Sequence, residues 1–331
     1  MATYKEIFGQ KIKALSADPP AAIGEGQIWY NDTSDAFKSG VIVAGTWASG
    51  GAYPVGVEAI TGFGTQTAAV GIGGESAPGP TINTVNEYNG TSWAGGTVYP
   101  STARSAGTTG ILAAGLVVGG NTAPGAEPTL NQTGQYDGTN WTTGGVYPAV
   151  GASVGVSGTQ TAALGAGAYF TPGGSPGSTQ CNEYNGASWT SAPVLNTARY
   201  NAGNSGTTTS SLVIGGSPGQ GLTVESFNGT SWTSLSNKPL NTSNCMTTAS
   251  VATADTTANF SSDPSYSNAT ELYDGTNWSA GASLANVRIG AGAGAPTSGL
   301  VFAGSSPSTP RTTATEELGP DTVTVQTITT S

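Results

Sequence analysis

The chain has 331 residues, 51 of them glycine, and carries five lysines, four arginines and a net charge of −10. Only 8% of residues are charged, against about 25% in ordinary soluble proteins, so the surface must be mostly hydroxyl, amide and backbone. The absence of any basic run or stripe argues against binding nucleic acid or anionic membranes, and the absence of histidine excludes His-based serine, cysteine and metal chemistry.

Residues 1–40 stand apart from the rest. They open on Met1-Ala-Thr-Tyr-Lys-Glu-Ile-Phe-Gly-Gln, which lacks the apolar core of a signal peptide. Residues 26–38, Gly26-Gln-Ile-Trp29-Tyr30-Asn-Asp-Thr-Ser-Asp-Ala-Phe37-Lys38, predict a hairpin: an alternating strand, a polar turn and an aromatic-bearing return.

From residue 41 to 331 the chain repeats. Trp47, Trp93, Trp141, Trp189, Trp232 and Trp278 are separated by 46, 48, 48, 43 and 46 residues. Five of them close nearly the same phrase, as in Tyr88-Asn-Gly-Thr-Ser-Trp93, Tyr136-Asp-Gly-Thr-Asn-Trp141 and Phe227-Asn-Gly-Thr-Ser-Trp232. A unit of this size cannot bury its own apolar face and must stack on its neighbours. Each unit reads as four strands. In the fourth these are a from about Ala198, b around Leu212 to Ile214 ending in Gly215-Gly216, c from Thr223 to Phe227, and d from Trp232. The Asn-Gly and Asp-Gly dipeptides signal hairpin turns with positive φ at both central positions. Six units follow, at about 53–98, 99–146, 147–193, 194–237, 238–283 and 284–330, the fifth degenerate near Asn259. Either the Trp47 strand or residues 322–329 can fill the last outer slot. If residues 26–50 build a further blade, the count becomes seven.

Cys181 and Cys245 fall in different units and predict two separate thiols, with no disulfide and no ordinary zinc site. The longest apolar stretch, 111–118, is far too short to span a bilayer. Glycine-rich stretches lead to loops, with no helix after them, so they are not phosphate-binding loops. No cofactor is expected.

A hydrophobic strand, a glycine pair, then Tyr and Trp about five residues apart resembles the kelch repeat. It implies an all-β fold, a six-bladed (alternatively seven-bladed) kelch-like β-propeller, with a short N-terminal β-hairpin extension. The 26–38 segment resembles one found in tail-fibre and other structural proteins of tailed bacteriophages. Together with the uncharged Asn-Gly-Thr-Ser-Trp repeats, the chain resembles virion proteins of marine, including cyanobacterial, phages. That resemblance implies a non-enzymatic virion protein, assembled in the host cytoplasm and released by lysis. Residues 1–40 would dock to other virion proteins, with Trp29, Tyr30 and Phe37 as contacts. The propeller, alone or as a homo-oligomer, would attach to a host-surface glycan or protein or decorate the particle. A passive tail, nozzle or capsid component is the alternative, and a glycan-cleaving depolymerase a remote one.

Strand order places the d-to-a and b-to-c connections on one face. That face carries the unequal loops 75–84, 121–132, 170–180, 217–221, 261–268 and 305–313, the usual place for recognition on a rigid scaffold. Arg104, Arg199 and Arg288 lie 11, 10 and 10 residues after their tryptophans, early in strand a. They are read as one repeat position, matched elsewhere by Glu58, Ala152 and Asn244. As innermost-strand residues they are expected near the channel mouth, where Arg104, Arg199, Arg288, Glu58 and Asn244 are candidate ligand contacts. The arginines resemble the carboxylate-clamping triad of sialidases, and the Asp-Gly-x-x-Trp turns are one residue shorter than the Asp-box of that fold. No nucleophile or acid/base carboxylate is identifiable. The simpler role is structural, bonding inter-blade carbonyls or a strand-c glutamate such as Glu87 or Glu183. The carboxylates Glu58, Glu127, Asp255 and Asp263 have no repeat explanation. The six repeat tryptophans are expected between sheets, each ring burying roughly 150–250 Å², with sugar stacking as the rival role.

Overall fold

The computed structural model describes residues 13–18, 27–76, 79–123, 129–170, 177–244, 246–247, 257–260 and 266–328. Among these residues every regular element is a strand. The chain divides into two compact units, Trp47–Leu318 and the residues flanking it on both sides.

In the flanking unit four strands form one sheet, in the order Lys13–Leu15, Ile28–Asn31, Ala36–Val43 and Thr322–Thr327. The first pair is parallel and the others antiparallel. The hairpin turns where Asn31 Oδ1 accepts the backbone N–H groups of Thr33 and Ser34 at 3.1 and 2.9 Å. This changes the expected boundary: the C-terminal strand leaves the repeat region and pairs with Ala36–Val43. Trp29 is 3% exposed, and its Nε1 donates to Asp18 Oδ1. As a candidate virion contact it is therefore corrected to a core residue of this sheet. Tyr30 and Phe37 are half-buried, directly paired across the strands, with ring centroids 5.2 Å apart.

Among the described residues, Trp47–Leu318 holds six four-stranded antiparallel sheets in a propeller-like arrangement. In the first, the inner strand Thr61–Thr65 is followed outward by Ala68–Ile72, Val85–Tyr88 and Trp93–Gly95. The inner strands of the other five are Gly107–Ile111, Gly155–Thr159, Gly203–Gly206, Met246–Thr247 and Ile289–Ala295. Each packs beside the next, and the last returns to the first. The sixth sheet takes Trp47–Ser49 as its outer strand, paired with Thr315–Leu318. Closing the cycle with an N-terminal strand hides a sheet edge that would otherwise invite pairing with other chains.

Two local readings change. The inner strand of the fourth sheet begins at Gly203, not near Ala198. Just before it the chain kinks through Asn201 at φ 55°, and Ala59, Ser105 and Ser153 do the same at 49°, 51° and 57°. In the Asn-Gly and Asp-Gly turns only the glycine has positive φ, for example 88° at Gly90. The preceding side chain closes the loop instead: Asn89 Oδ1 accepts from the N–H groups of Thr91 and Ser92 at 3.0 and 2.9 Å. Asp137 does the same, and those backbone donors hold its carboxyl below the usual aspartate value.

The aromatic ladder lies in the seams between sheets. Trp141 sits between Tyr99 and Tyr136, at 4.8 and 4.5 Å between ring centroids, and its Nε1 crosses to Thr97 O of the preceding repeat. Trp93, Trp189, Trp232 and Trp47 likewise donate to Thr315 Oγ1, Thr133 Oγ1, Pro193 O and Ala282 O. The Tyr136 hydroxyl donates to Glu87 and that of Tyr88 to Glu317, again across a seam. Trp278 keeps its Tyr273 neighbour at 4.9 Å, but its buried Nε1 has no hydrogen-bond partner among the described residues.

Candidate binding site at the central cavity

The expected arginine position splits in two. Arg199 and Arg288 are both 0% exposed. Arg199 donates to Gly215 O, to Thr223 and, at 2.5 Å, to Glu225 Oε1. Arg288 donates to Ala314 O, Val301 O and, at 2.9 Å, to Glu316 Oε1. Burial pulls the Arg288 guanidinium below its ordinary value, and Glu316 opposes that shift. As ligand contacts, Arg199 and Arg288 are corrected to structural residues. Arg199 precedes the left-handed kink by two residues, so its side chain runs beneath its own sheet, away from the cavity.

Arg104 immediately precedes its kink at Ser105, as Glu58, Ala152 and Tyr200 precede theirs. Backbone pairing confirms this equivalence: Glu58 with Glu75, Arg104 with Asn121, Ala152 with Tyr169 and Tyr200 with Ser217. Glu58, Arg104, Ala152 and Tyr200 all lie 11 residues after their tryptophans, whereas Arg199 and Arg288 lie 10 after theirs, so reading 10 and 11 as one position merged two different ones. The structural counterpart of Arg104 in the fourth repeat is thus Tyr200.

The ion pairs fill a position that the first three sheets fill with tyrosine. Tyr53, Tyr99 and Tyr147 are each at most 2% exposed and pack against the third strand at Asn86, Gly134 and Asn182. In the fourth to sixth sheets the matching third-strand residues are Glu225, Glu271 and Glu316, paired with Arg199, Lys238 and Arg288. Glu87, one residue later on its strand, faces the neighbouring sheet. A one-residue offset in a strand reverses the side on which a side chain emerges.

All six inner strands or the residues entering them line one cavity of about 500 Å³, represented in order by Ile60, Ala106, Val154, Asn204, Thr247 and Ala291. Glu58, Arg104 and Asn244 also line it, so three of the five expected contacts do meet there. Arg104 pairs with Glu75 at 2.9 Å. Arg311 bridges Glu75 at 2.5 Å and Glu58 at 2.9 Å. Two cations and two anions therefore compensate one another beside the cavity.

Three contributors were missed by sequence reasoning. Arg311 was the one arginine outside the proposed triad, on the 305–313 loop. Glu75 begins the 75–84 loop. Asn204 has no sequence signal. It is 3% exposed and among the residues lining the cavity, but its Oδ1 and Nδ2 are themselves buried and have no hydrogen-bond partner among the described residues. An unmet buried amide costs about 1–3 kcal/mol.

Among the described residues no group of three or more His, Cys, Asp or Glu is placed to hold a metal. Glu127, Asp255, Asp263 and Cys245 lie outside the described residues. Cys181 is buried, and burial raises its thiol to about 12.

The scaffold is all-β and propeller-like, with a polar cavity where its inner strands converge. The sequence matches no family model and no curated protein. Among solved structures it is similar to one described as "Structure of YjhT", with a TM-score of 0.64 at 14% identity, over 83% of this chain and 99% of that one. At that identity the likeness shows the fold alone.

Proposed function

We propose that the chain is a structural protein of a tailed-bacteriophage virion. In this reading a six-bladed kelch-like propeller serves host-surface attachment or particle decoration, and the flanking unit docks it to other virion proteins. The observation carrying this reading is the division of labour in the chain: both flanks of the repeat region combine into a separate small sheet. Its exposed outer strand, Thr322–Thr327, offers backbone groups for pairing, and Tyr30 and Phe37 offer apolar surface. A non-enzymatic role is supported by the lack of histidine and by the commitment of Glu58 and Glu75 to arginines. Low charge suits contact in seawater, where the screening length is about 3–4 Å.

Mass spectrometry and labelling of purified particles with antibodies to Trp47–Leu318 test the reading. The chain is expected in the particle with the repeat region accessible. Its absence from particles overturns the virion role. Presence with the repeat region enclosed overturns attachment and leaves the passive assembly role. Release of reducing sugar from host polysaccharide overturns the non-enzymatic reading.

A further inference from the structure

We infer that the chain forms a two-fold dimer, in which strand Thr322–Thr327 of the flanking sheet pairs with the same strand of a second copy. The interface stands on the geometry below; its use in building a particle rests on the reading above.

The outer strands of this chain differ in how they are protected. Those of the repeat region, such as Trp93–Gly95 and Trp189–Ala192, have only three or four residues. Very short edges are one of the ways natural sheets avoid pairing with other chains. Thr322–Thr327 has six residues with five side chains exposed, and among the described residues nothing pairs with its outer side. It contains no charge, proline or glycine, and it pairs with Ala36–Val43 without a bulge. None of the devices that blunt an edge is present. The backbone phase fixes which residues can pair. Ile328 N–H donates to Phe37 O at 2.8 Å, and hydrogen-bonded positions alternate along an antiparallel pair. Thr322, Thr324 and Gln326 therefore turn their backbone groups inward to Ala36–Val43, while Val323, Val325 and Thr327 turn theirs outward. An antiparallel second copy engages all three outward residues in one register, with the two-fold axis at Val325. A slip of one residue would set inward-turned groups against outward-turned ones.

The side chains select a second copy as the occupant. Among the described residues of this unit, the large apolar side chains that stand exposed are Ile28, Val43, Val325 and Ile328, at 39% to 43%. Three of them fall in the pairing. Val325 meets the partner's Val325 on the axis. On the opposite face the partner's Ile328 comes opposite Thr322, which sits beside Val43, so an apolar row runs from Val43 to the partner's Phe37. Between them Val323 faces the partner's Thr327 and Thr324 faces the partner's Gln326, pairs of β-branched or amide side chains with no like charges opposed. The charges at the ends are complementary. Lys38 donates to Thr327 Oγ1 at 2.7 Å, at the end of the strand to which the two-fold brings the partner's Asp321. The axis repeats each of these contacts, as an isologous interface requires.

The test is sedimentation equilibrium on the full chain, with cysteine cross-linking to read the register. The wild type should show a concentration-dependent dimer of twice the 32.7 kDa chain mass. Val325→Lys sets like charges against each other on the axis and should weaken the dimer about tenfold or more, with Tm unchanged because the position is exposed. Val325→Cys should form a 325–325 disulfide under mild oxidation, since hydrogen-bonded partners stand about 5.5 Å apart between Cα atoms, inside the disulfide range. Val323→Cys should not link, because its copies lie roughly 13 Å apart along the strands. A chain that stays monomeric at its highest soluble concentration overturns the interface. So does a dimer indifferent to Val325→Lys, or one in which Val323→Cys links as readily as Val325→Cys. The interface and the virion reading fail separately. A dimer formed by a chain that is absent from particles keeps the interface and removes the virion role. A chain present in particles but monomeric in solution removes the interface and leaves that role standing.

Discussion

Arg199 and Glu225 form an ion pair from which water is excluded: 2.5 Å apart, with side chains 0% and 1% exposed. Glu225 also accepts the backbone N–H groups of Asn196 and Thr197 at 2.7 and 3.2 Å, so its carboxylate holds the connection into the fourth sheet. Breaking such a pair by removing one partner leaves a buried charge uncompensated. Arg199→Met should therefore destabilise by about 3–5 kcal/mol.

The first sheet supplies the control. There Tyr53, Val57 and Asn86 take the places of Leu195, Arg199 and Glu225, and Asn86 Nδ2 donates to the Tyr53 hydroxyl at 3.0 Å. The triple replacement Leu195→Tyr, Arg199→Val, Glu225→Asn should restore most of the stability lost in Arg199→Met, since an ion pair replaced by a packed group is often neutral or stabilising. Urea midpoints of the three proteins decide it. A triple variant less stable than the single one means the two fillings are not interchangeable.

The seam bond from the Tyr136 hydroxyl to Glu87 makes a second prediction. Tyr136→Phe keeps the ring against Trp141 and deletes only the donor to a carboxylate, so it should cost about 1–3 kcal/mol. Glu87→Gln keeps an acceptor and should cost less. In a double-mutant cycle the two effects should be coupled. Additive losses would show that the hydroxyl contributes through something other than Glu87.

The repeat made the sheets legible because its aromatic residues are the ones that cross the seams. Trp141 and Tyr136 recur at fixed spacing because each must meet an equivalent neighbour in the next sheet. The site was legible only in part. Glu58 and Arg104 were found because each lies 11 residues after its tryptophan, a spacing that sets both beside the left-handed kink feeding the cavity. Arg199 was misplaced by one residue, and one residue is enough to turn a side chain from cavity to interior. Asn204 gave no signal, since asparagine is common throughout this sequence and only its unmet amide distinguishes it. The C-terminal strand was read into the propeller because Thr322-Val-Thr-Val alternates as any outer strand would; pairing with Ala36–Val43 depends on a contact nearly 290 residues away.

Cys181 makes a third prediction. Burial raises its thiol to about 12, and the thiolate is the reactive form. In the native protein at neutral pH it should resist iodoacetamide and be modified only at the rate of unfolding. Mass spectrometry of the Cys181 peptide with and without denaturant measures this. Rapid native alkylation at Cys181 would mean that the third sheet opens locally, without global unfolding.

Alkaline pH should unfold the protein through its buried tyrosines. Burial raises the phenols of Tyr53 and Tyr99 from 10 to about 12, and the Asn86 hydrogen bond opposes the shift at Tyr53. A folded value above the unfolded one means that the native state keeps a proton which the unfolded chain has released. The stabilisation is full below pH 10 and is lost as pH rises from 10 towards 12, at about 1.4 kcal/mol per pH unit for each tyrosine. Stability measured by urea denaturation should therefore fall over that window. Tyrosinate absorbance should rise together with the loss of β-sheet circular dichroism, because these two phenols ionise on unfolding. The Tyr53→Phe, Tyr99→Phe double variant should show a shallower alkaline decline. If all twelve tyrosines titrate near pH 10 while the circular dichroism stays native, the phenols are open to water and the packing of the first two sheets is looser than these contacts require.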